Sequence, residues 1–435
     1  MKKREKIFLQ NLLLVLSSIF LIFLMIEHKL WFLVWVSFAP VFWVARRNKF
    51  KNLITLLIIY AILINLTSLR WFWDYKDTVL YSSILIMVLF GLFFIKIASK
   101  LSKNKLMNIL SFPIIWTILV FVFSFNPLGS IWVNIAFFHP MMAPLIWIVG
   151  SLGITFLIVL FNSLLADYFL KRNSKVLITI IIILLVVIFC YNYSSQEYKT
   201  ENEIKVALIQ GNIDQNWLWR TSNMDLVIST YENLSLRAAE QNPDFIIWPE
   251  YSISTDIMLN KDIYNRISNI AKQTNSYLIF GTAIYIENKT NVIIQKKTDT
   301  LLVFSPNGEL VGRYDSKFPM PFDETVVKGK KHNSNNILET EKSSITVGLC
   351  FEELKIRSFN GDSDFIISSV NNQFFDDTTG LELVSQFSRL IAAENKKYLV
   401  RSSNTGITQI VDPYGKVINQ IDPNQEKILI ENIYI

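Results

Sequence analysis

Cysteine and histidine are scarce in this sequence, which has two cysteines and three histidines among 435 residues. Cys190 lies within an apolar run and Cys350 ends a strand-like pattern, so no disulfide framework is predicted. His28, His139 and His332 are far apart in the chain, and no ligand spacing typical of a zinc or iron site occurs. We therefore expect no metal and no other cofactor, while thiol chemistry at one cysteine stays open.

Charged residues are also few, at 18%, whereas hydrophobic residues make up 51% and the mean hydropathy is +0.34. A composition this apolar excludes a wholly water-soluble protein of this length. The net charge is only +6, and the basic residues form short clusters between apolar runs rather than one stripe. Nucleic acid is therefore not an expected partner.

The apolar excess is confined to the first part of the chain. A membrane-spanning helix needs roughly 20 apolar residues, and runs of about this length predict about seven spans. The runs cover residues 7–26, 30–46, 52–69, 79–98, 107–125, 143–169 and 175–192. The apolar stretch from Gly129 to Ala143 contains His139 and Pro140, which is compatible with an interfacial or re-entrant segment. We predict a transmembrane helical bundle over residues 1–193 and a second domain over residues 203–435.

The basic residues beside the spans predict the orientation in the membrane, because such residues are retained on the cytoplasmic side. Clusters precede the first run and follow the second, fourth and sixth; they include Lys2 to Lys6, Arg46 to Lys51, Lys96 to Lys105 and Lys171 to Lys175. The intervening loops carry little more than Lys29, Arg70 and Lys76. We therefore predict a multi-pass protein of the cytoplasmic membrane with a cytoplasmic N-terminus and an extracytoplasmic C-terminal domain.

The C-terminal half alternates short β-branched runs with helical stretches, which is typical of a layered α/β domain. Predicted strands are 204–209, 245–248, 277–281, 300–304, 344–349, 365–369, 398–402 and 408–412, and predicted helices are 222–241, 261–274 and 380–395. Pro306-Asn307-Gly308 and Pro413-Tyr414-Gly415 are typical of strand reversals.

Two of these strands end in residues that suggest chemistry. The run Phe245-Ile-Ile-Trp-Pro-Glu250 presents a carboxylate, and Ile345-Thr-Val-Gly-Leu-Cys350 presents a thiol. Reactive groups converge at strand ends in open α/β sheets, and a carboxylate whose pKa is raised by burial can activate a thiol. A lone cysteine is more often a small core residue, and a lone glutamate after proline more often belongs to a solvated turn. The pairing of Glu250 with Cys350 is therefore a hypothesis at this point.

The order of several motifs resembles the nitrilase, or carbon-nitrogen hydrolase, superfamily. The motifs are Trp248-Pro-Glu250, Tyr314 to Glu324 with its Pro-Phe-x-Glu, Cys350-Phe-Glu352, and Arg401-Ser-Ser-Asn404-Thr-Gly406-Ile-Thr408. The membrane half is similar to the apolipoprotein N-acyltransferase family within that superfamily, in Phe38-Ala-Pro40, Ser68-Leu-Arg-Trp71, Asn126 to Trp132 and Gly150-Ser-Leu-Gly153. The resemblance implies a nitrilase-like αββα sandwich, fused to the membrane bundle, with a Glu-Lys-Cys catalytic set.

The resemblance also implies a ping-pong acyl transfer. Cys350 would take an acyl chain from a membrane phospholipid as a thioester, and the α-amino group of the diacylglyceryl-cysteine of a lipoprotein would accept it. Glu250 would be the general base and Lys317 the candidate lysine that stabilises the oxyanion. Glu324 and Glu352 match carboxylates of the family that support the lysine and the base.

Some positions depart from the family pattern. Where the family has its lysine, two residues after the tyrosine, this sequence has Ser316, with Lys317 one place later. The segment Val370 to Asp376 and Val384 also differ from the usual residues. Two alternatives follow: a membrane-linked nitrilase-like amidase or acyltransferase with another amine acceptor, and a catalytically altered homologue that binds lipid or lipoprotein.

Overall fold

A computed structural model of the chain describes residues 28–47, 104–125, 134–218, 220–285, 296–319, 326–327, 336–372 and 378–435, with scattered single positions between 12 and 101. The chain divides into two compact units, Met1–Ser195 and Gln196–Ile435.

The first unit is helical. Its helices are α1 (Val34–Ser37), α2 (Ala39–Arg47), α3 (Lys105–Phe123), α4 (Ala143–Lys171) and α5 (Ser174–Ser194), with 3₁₀ turns at His28–Leu33 and Ile135–Phe138. Three of them, α3, α4 and α5, are long and apolar enough to cross a membrane, and they match the runs predicted at 107–125, 143–169 and 175–192. The shorter apolar segment Leu30–Arg46 falls on the predicted run 30–46. The runs 7–26, 52–69 and 79–98 lie mostly outside the described residues, so a total of about seven spans stays a prediction.

A buried asparagine stabilises the break between α1 and α2. Asn162, in α4, accepts backbone hydrogen bonds from Phe38 (3.0 Å) and Ala39 (2.9 Å) through Oδ1 and donates to the carbonyl of Val34 (3.0 Å) through Nδ2. An interrupted helix leaves backbone groups that lipid cannot satisfy, and a polar side chain of a neighbouring helix is the usual remedy. Asn162 therefore serves helix packing.

The second unit is built on two six-stranded sheets. The first has the strand order β12-β1-β2-β3-β4-β5, and the second has the order β11-β10-β9-β8-β7-β6. The strands are β1 (Glu203–Gln210), β2 (Phe245–Ile247), β3 (Tyr277–Tyr285), β4 (Lys297–Phe304), β5 (Leu310–Asp315), β6 (Ile337–Glu339), β7 (Ser344–Leu349), β8 (Phe365–Val370), β9 (Leu399–Ser403), β10 (Thr408–Val411), β11 (Val417–Ile421) and β12 (Lys427–Tyr434). The helices are α6 (Gln215–Leu218), α7 (Met224–Ala239), α8 (Lys261–Thr274) and α9 (Thr378–Asn395), with 3₁₀ turns at Thr221–Asn223, Cys350–Leu354 and Ile356–Phe359.

Successive side chains of each strand point to opposite faces of its sheet, so each sheet separates two hydrophobic layers of this unit. In β1, Val206 and Leu208 enter one core with Ile345 and Val347 of β7, and this core lies between the two sheets. The intervening residues of β1 pack in a second core with residues of α7 and α8, while Ile391 of α9 packs against the outer face of the other sheet. The predicted αββα sandwich is confirmed for this unit.

The eight predicted strands and three predicted helices are present, but four strands were missed. They are β5, β6, β11 and β12, and they are the outermost strands of the two sheets. An edge strand is paired on one side only and carries more polar residues, so its hydrophobic alternation is weak. Both predicted reversals are confirmed: Gly308 (φ 74°) and Gly415 (φ 78°) turn the chain between antiparallel strands.

Candidate active site

Glu250 lies just beyond the end of β2, within the first sheet. The backbone N–H of Trp248 still bonds to Ile279 of β3 at 2.8 Å, and Pro249, which has no N–H to donate, accepts a last and longer bond from Gly281 at 3.3 Å. Gly281 of β3 packs directly below, and a Cβ there would lie 2.6 Å from the Cα of Glu250. The absence of a side chain at Gly281 therefore lets the Glu250 backbone sit close to the sheet, with only 3% of the residue exposed.

Cys350 lies at the turn that follows β7, in the second sheet. Its φ of 46° is in the left-handed region, which is uncommon for a residue with a side chain and is frequent at functional turns. The chain enters the 3₁₀ turn Cys350–Leu354 at once, and residue Cys350 as a whole is half-buried. Gly348, two residues earlier, packs against the ring of Phe359 so closely that a Cβ would overlap it. The sharp turn projects the thiol beyond the strand end.

The structure brings these two residues together. The Cys350 thiol lies beside the Glu250 carboxylate, and the backbone N–H of Asn371 donates to Oε2 of Glu250 at 2.7 Å. Burial raises the pKa of Glu250 to about 7, against the lowering effect of the neighbouring thiol and of the Asn371 N–H. Burial and the neighbouring Glu250 and Asp299 charges raise the pKa of the Cys350 thiol well above its ordinary value. The resting pair is a thiol next to a base whose pKa suits proton transfer near neutral pH.

Glu352 is completely buried beneath this turn. Its carboxylate accepts hydrogen bonds from the Tyr314 hydroxyl (2.8 Å) and from the backbone N–H groups of Lys317 (2.7 Å) and Leu349 (2.9 Å), and a longer one from Phe318 (3.2 Å). Burial raises the pKa of Glu352, and these donors oppose that rise. The carboxylate ties the chain beyond β5 to the last residue of β7. The supporting role of Glu352 toward the lysine and the base stays a prediction.

Lys317, the lysine predicted for the catalytic set, contacts Tyr314 and Glu352. Ser316, at the position of the family lysine, is buried with 2% exposed, and Lys317 is partly exposed. The Lys317 Nζ lies 5.8 Å from the centroid of the Tyr314 ring, and its backbone N–H is held by Glu352. The predicted supporting residue Glu324 lies outside the described residues.

A buried ion pair beside the nucleophile was given no role in the sequence analysis. Arg401 of β9 donates through Nε to Glu353 Oε1 (2.8 Å) and through Nη2 to Glu353 Oε2 (3.0 Å), and both residues are completely buried. The Arg401 Nη2 also donates to Asn372 Oδ1 at 2.8 Å. The guanidinium group of Arg401 therefore connects the turn that follows Cys350 to the segment whose Asn371 binds Glu250. An arginine inside a predicted buried strand was the available signal, because a buried charge requires a partner.

A second missed residue is Lys297, the first residue of β4. Its Nζ lies 4.6 Å from the centroid of the Tyr251 ring, and its positive charge lowers the pKa of Glu250. The sequence offered no signal for this, because the residue precedes the apolar run at 300–304 and lies outside the motifs.

Both halves of the sequence match known protein families. The sequence matches the family described as Carbon-nitrogen hydrolase over residues 205–434, and the Apolipoprotein N-acyltransferase N-terminal domain over residues 17–164. It is 25% identical to the apolipoprotein N-acyltransferase of Geobacter metallireducens over 91% of this chain and 84% of the relative. It is 24% identical to that of Photobacterium profundum over 92% and 84%, respectively. A solved amidase from Nesterenkonia sp. is 14% identical, with a TM-score of 0.42, covering 55% of this chain and 94% of that one.

The sequence-based resemblance is thereby confirmed in both halves. The second unit carries the hydrolase fold and the Glu250–Cys350 pair, and the first matches the N-terminal domain that accompanies it in the acyltransferases. The chain belongs to the carbon-nitrogen hydrolase family, with an N-terminal domain of the apolipoprotein N-acyltransferase type.

Proposed function

We propose that this protein transfers an acyl chain from a phospholipid to the α-amino group of the diacylglyceryl-cysteine of a lipoprotein. The family, the names of the relatives and the apolar helices support a membrane-bound N-acyltransferase. The observation that carries the chemistry is the placement of the Cys350 thiol beside the Glu250 carboxylate. A thiol with a raised pKa is inert until a base takes its proton, and here the base is in contact.

The first half-reaction would load the enzyme. Glu250 takes the proton from Cys350 as the sulfur attacks the carbonyl carbon of the phospholipid ester. A carbon–sulfur bond forms and the carbonyl oxygen becomes an oxyanion. When the oxyanion collapses, the ester carbon–oxygen bond breaks, and Glu250 returns its proton to the departing alkoxide of the lysophospholipid. The product is a thioester at Cys350.

The second half-reaction would unload it. The amine of the diacylglyceryl-cysteine attacks the thioester carbon, and Glu250 takes a proton from the nitrogen. The carbon–sulfur bond then breaks, an amide remains on the acceptor, and the proton on Glu250 returns to the Cys350 sulfur. One carboxylate thus serves both halves, which fits a pKa near 7 because the group must gain and lose a proton in each turnover.

Supporting residues would fix the geometry of the pair. Glu352 holds the turn that carries Cys350 and the backbone of Lys317, which is the candidate lysine from the motif comparison. Glu324 keeps its proposed supporting role on the basis of the motif alone. We also propose that the second unit faces the extracytoplasmic side, where lipoproteins that have left the cytoplasm are found, as the basic clusters predict.

The proposed function is tested with the full chain in phospholipid liposomes and a synthetic diacylglyceryl-cysteine peptide. We expect N-acylated peptide and lysophospholipid to form in equal amounts. Cys350→Ala should abolish both products, whereas Cys190→Ala, which removes the other cysteine, should leave both. Undiminished N-acylation by Cys350→Ala would refute the mechanism.

The same assay separates the other candidates. If the donor loads Cys350 but no diacylglyceryl peptide unloads it, whereas a different amine does, the acceptor is another amine. If Cys350 neither loads nor reacts with a small thiol reagent, a non-catalytic binding role replaces the proposal.

A further inference from the structure

The ladder between β4 and β5 determines which residues point toward the active site. Leu301 pairs with Tyr314, and both lie in the core between the sheets. The ladder continues one step beyond the assigned strand, because the N–H of Ser316 bonds to the carbonyl of Asp299 at 2.8 Å. Paired residues share a face, and every second residue of a strand returns to it. Lys297, Asp299 and Ser316 therefore belong to the face that looks toward the sheet carrying Cys350.

Lys297 is the diagonal neighbour of Ser316 on that face. Asp299 lies opposite Ser316, and Lys297 is two residues farther along β4. Diagonal neighbours in an antiparallel ladder are about 7–8 Å apart, within reach of a long side chain. A lysine at 297 can consequently bring its ammonium group to the region that a lysine at 316 would occupy.

The backbone and side chain of Lys297 are both held in place. The N–H of Val327 donates to the Lys297 carbonyl at 2.9 Å, which anchors the start of β4. The ammonium group lies over the ring of Tyr251, 4.6 Å from its centroid, and Tyr251 directly follows Glu250. A cation at this distance from an aromatic ring is attracted to it. The charge is therefore fixed beside the segment that carries the base.

We infer that Lys297 is the cation of the Glu-Lys-Cys site and acts through Glu250, in place of the lysine that Ser316 replaces. This inference rests on the proposed function. Lys297 is thus a positioning residue that favours the carboxylate form of Glu250. Removing it takes a positive charge away from the buried base, so Glu250 becomes protonated at a higher pH and is less available as the proton acceptor of the thiol.

The charged groups around Glu250 and Cys350 determine the direction in which the pKa of Glu250 should change when Lys297 is removed. From the turn after β7, Cys350 and Glu352 face Glu250, and Lys297 faces it from β4; Asp299 and Glu353 act on Cys350. Among these described groups Lys297 carries a positive charge, and it lowers the pKa of Glu250 while Glu352 raises it. Loss of Lys297 must therefore raise that pKa.

The test follows alkylation of Cys350 by iodoacetamide as a function of pH, using the full chain in detergent micelles and mass spectrometry of the peptide that contains Cys350. The rate should fall at low pH as Glu250 is protonated. In Lys297→Gln we expect the midpoint of this fall to move upward by about one pH unit, the lower end of what a nearby opposite charge contributes. Lys297→Arg should keep the wild-type midpoint, as should Lys296→Gln, which neutralises the exposed lysine next to it.

A rescue variant distinguishes the loss of the positive charge at this place from a defect in folding. Adding Ser316→Lys to Lys297→Gln should return the midpoint toward the wild-type value, because the new lysine starts from the diagonal position. An unmoved midpoint in Lys297→Gln, or a shift produced by Lys317→Gln instead, would overturn the inference. Because alkylation needs no phospholipid, a failed acyl transfer with a normal alkylation profile would count against the proposed function and not against Lys297.

Discussion

The thiol of Cys350 lies beside the carboxylate of Glu250, although one residue follows a strand of the second sheet and the other follows a strand of the first. The contact exists because β2 and β7 each end at the same edge of the sandwich and then turn sharply. Both groups are pushed toward their neutral forms by burial. The proton of the thiol therefore stays on the sulfur in the resting enzyme. In the proposed reaction it moves to Glu250 when the sulfur attacks the carbonyl carbon of a substrate.

Replacing the base tests this relationship directly. Glu250→Gln keeps the volume and one acceptor oxygen for the Asn371 N–H, but it cannot take the thiol proton. We expect the rate of Cys350 acylation to fall by about 10²–10⁴-fold, the usual contribution of a general base. The rate should be measured in a single turnover with phospholipid. Glu240→Gln, which changes an exposed acid of the same unit, should retain the wild-type rate, and an equal loss in both variants would contradict the assignment.

The same substitution should stabilise the protein at high pH. The pKa of Glu250 is raised in the folded state to about 7, so its stabilising contribution is complete below its unfolded value and is lost as the pH rises through 7. Glu250→Gln stays neutral, so its advantage should grow from about pH 5 to about pH 8 and reach roughly 1–3 kcal/mol. Thermal unfolding of the full chain in detergent, repeated in a Cys350→Ala background, measures this difference. A constant difference across that range would contradict the raised pKa.

Glu352 should contribute strongly to the stability of the folded protein, because it holds the turn that carries Cys350. Glu352→Ala leaves the Tyr314 hydroxyl and the Lys317 and Leu349 N–H groups without their acceptor in a buried site. Each such donor costs about 1–3 kcal/mol, so we expect the variant to lose several kcal/mol of unfolding free energy. Tyr314→Phe removes one donor only and should cost about 1 kcal/mol. Similar losses in the two variants would show that the backbone donors do not depend on Glu352.

Gly281 should control the rate through Glu250. A Cβ at position 281 would overlap the Glu250 backbone, so Gly281→Ala must displace the base. A misplacement of about 1 Å reduces catalysis by about 10²-fold. In a double-variant cycle, adding Gly281→Ala to Glu250→Gln should cause little further loss of the acylation rate, because both changes act on the same group. Independent, additive losses would mean that Gly281 acts elsewhere.

The central strands and the positions of Glu250 and Cys350 were predictable because each leaves a local signal, whereas Glu352 was named from the motif comparison alone. Apolar β-branched runs mark buried strands, and a carboxylate or thiol at a strand end stands out against them. The outer strands β5, β6, β11 and β12 escaped prediction because one-sided pairing does not require a strong alternation. Lys297 escaped because its role depends on the pairing of β4 with β5. A diagonal relationship to Ser316 exists only after the register is known.

The central claim is that Cys350 carries the acyl chain. The most direct measurement is the mass of the Cys350 peptide after the full chain is incubated with a phospholipid that has an isotopically labelled acyl chain, in the absence of any acceptor. We expect one labelled acyl group on that peptide, which hydroxylamine removes and which a diacylglyceryl-cysteine peptide takes up as an amide. A peptide of unchanged mass, from a protein that nevertheless N-acylates the acceptor when both substrates are present, would contradict it.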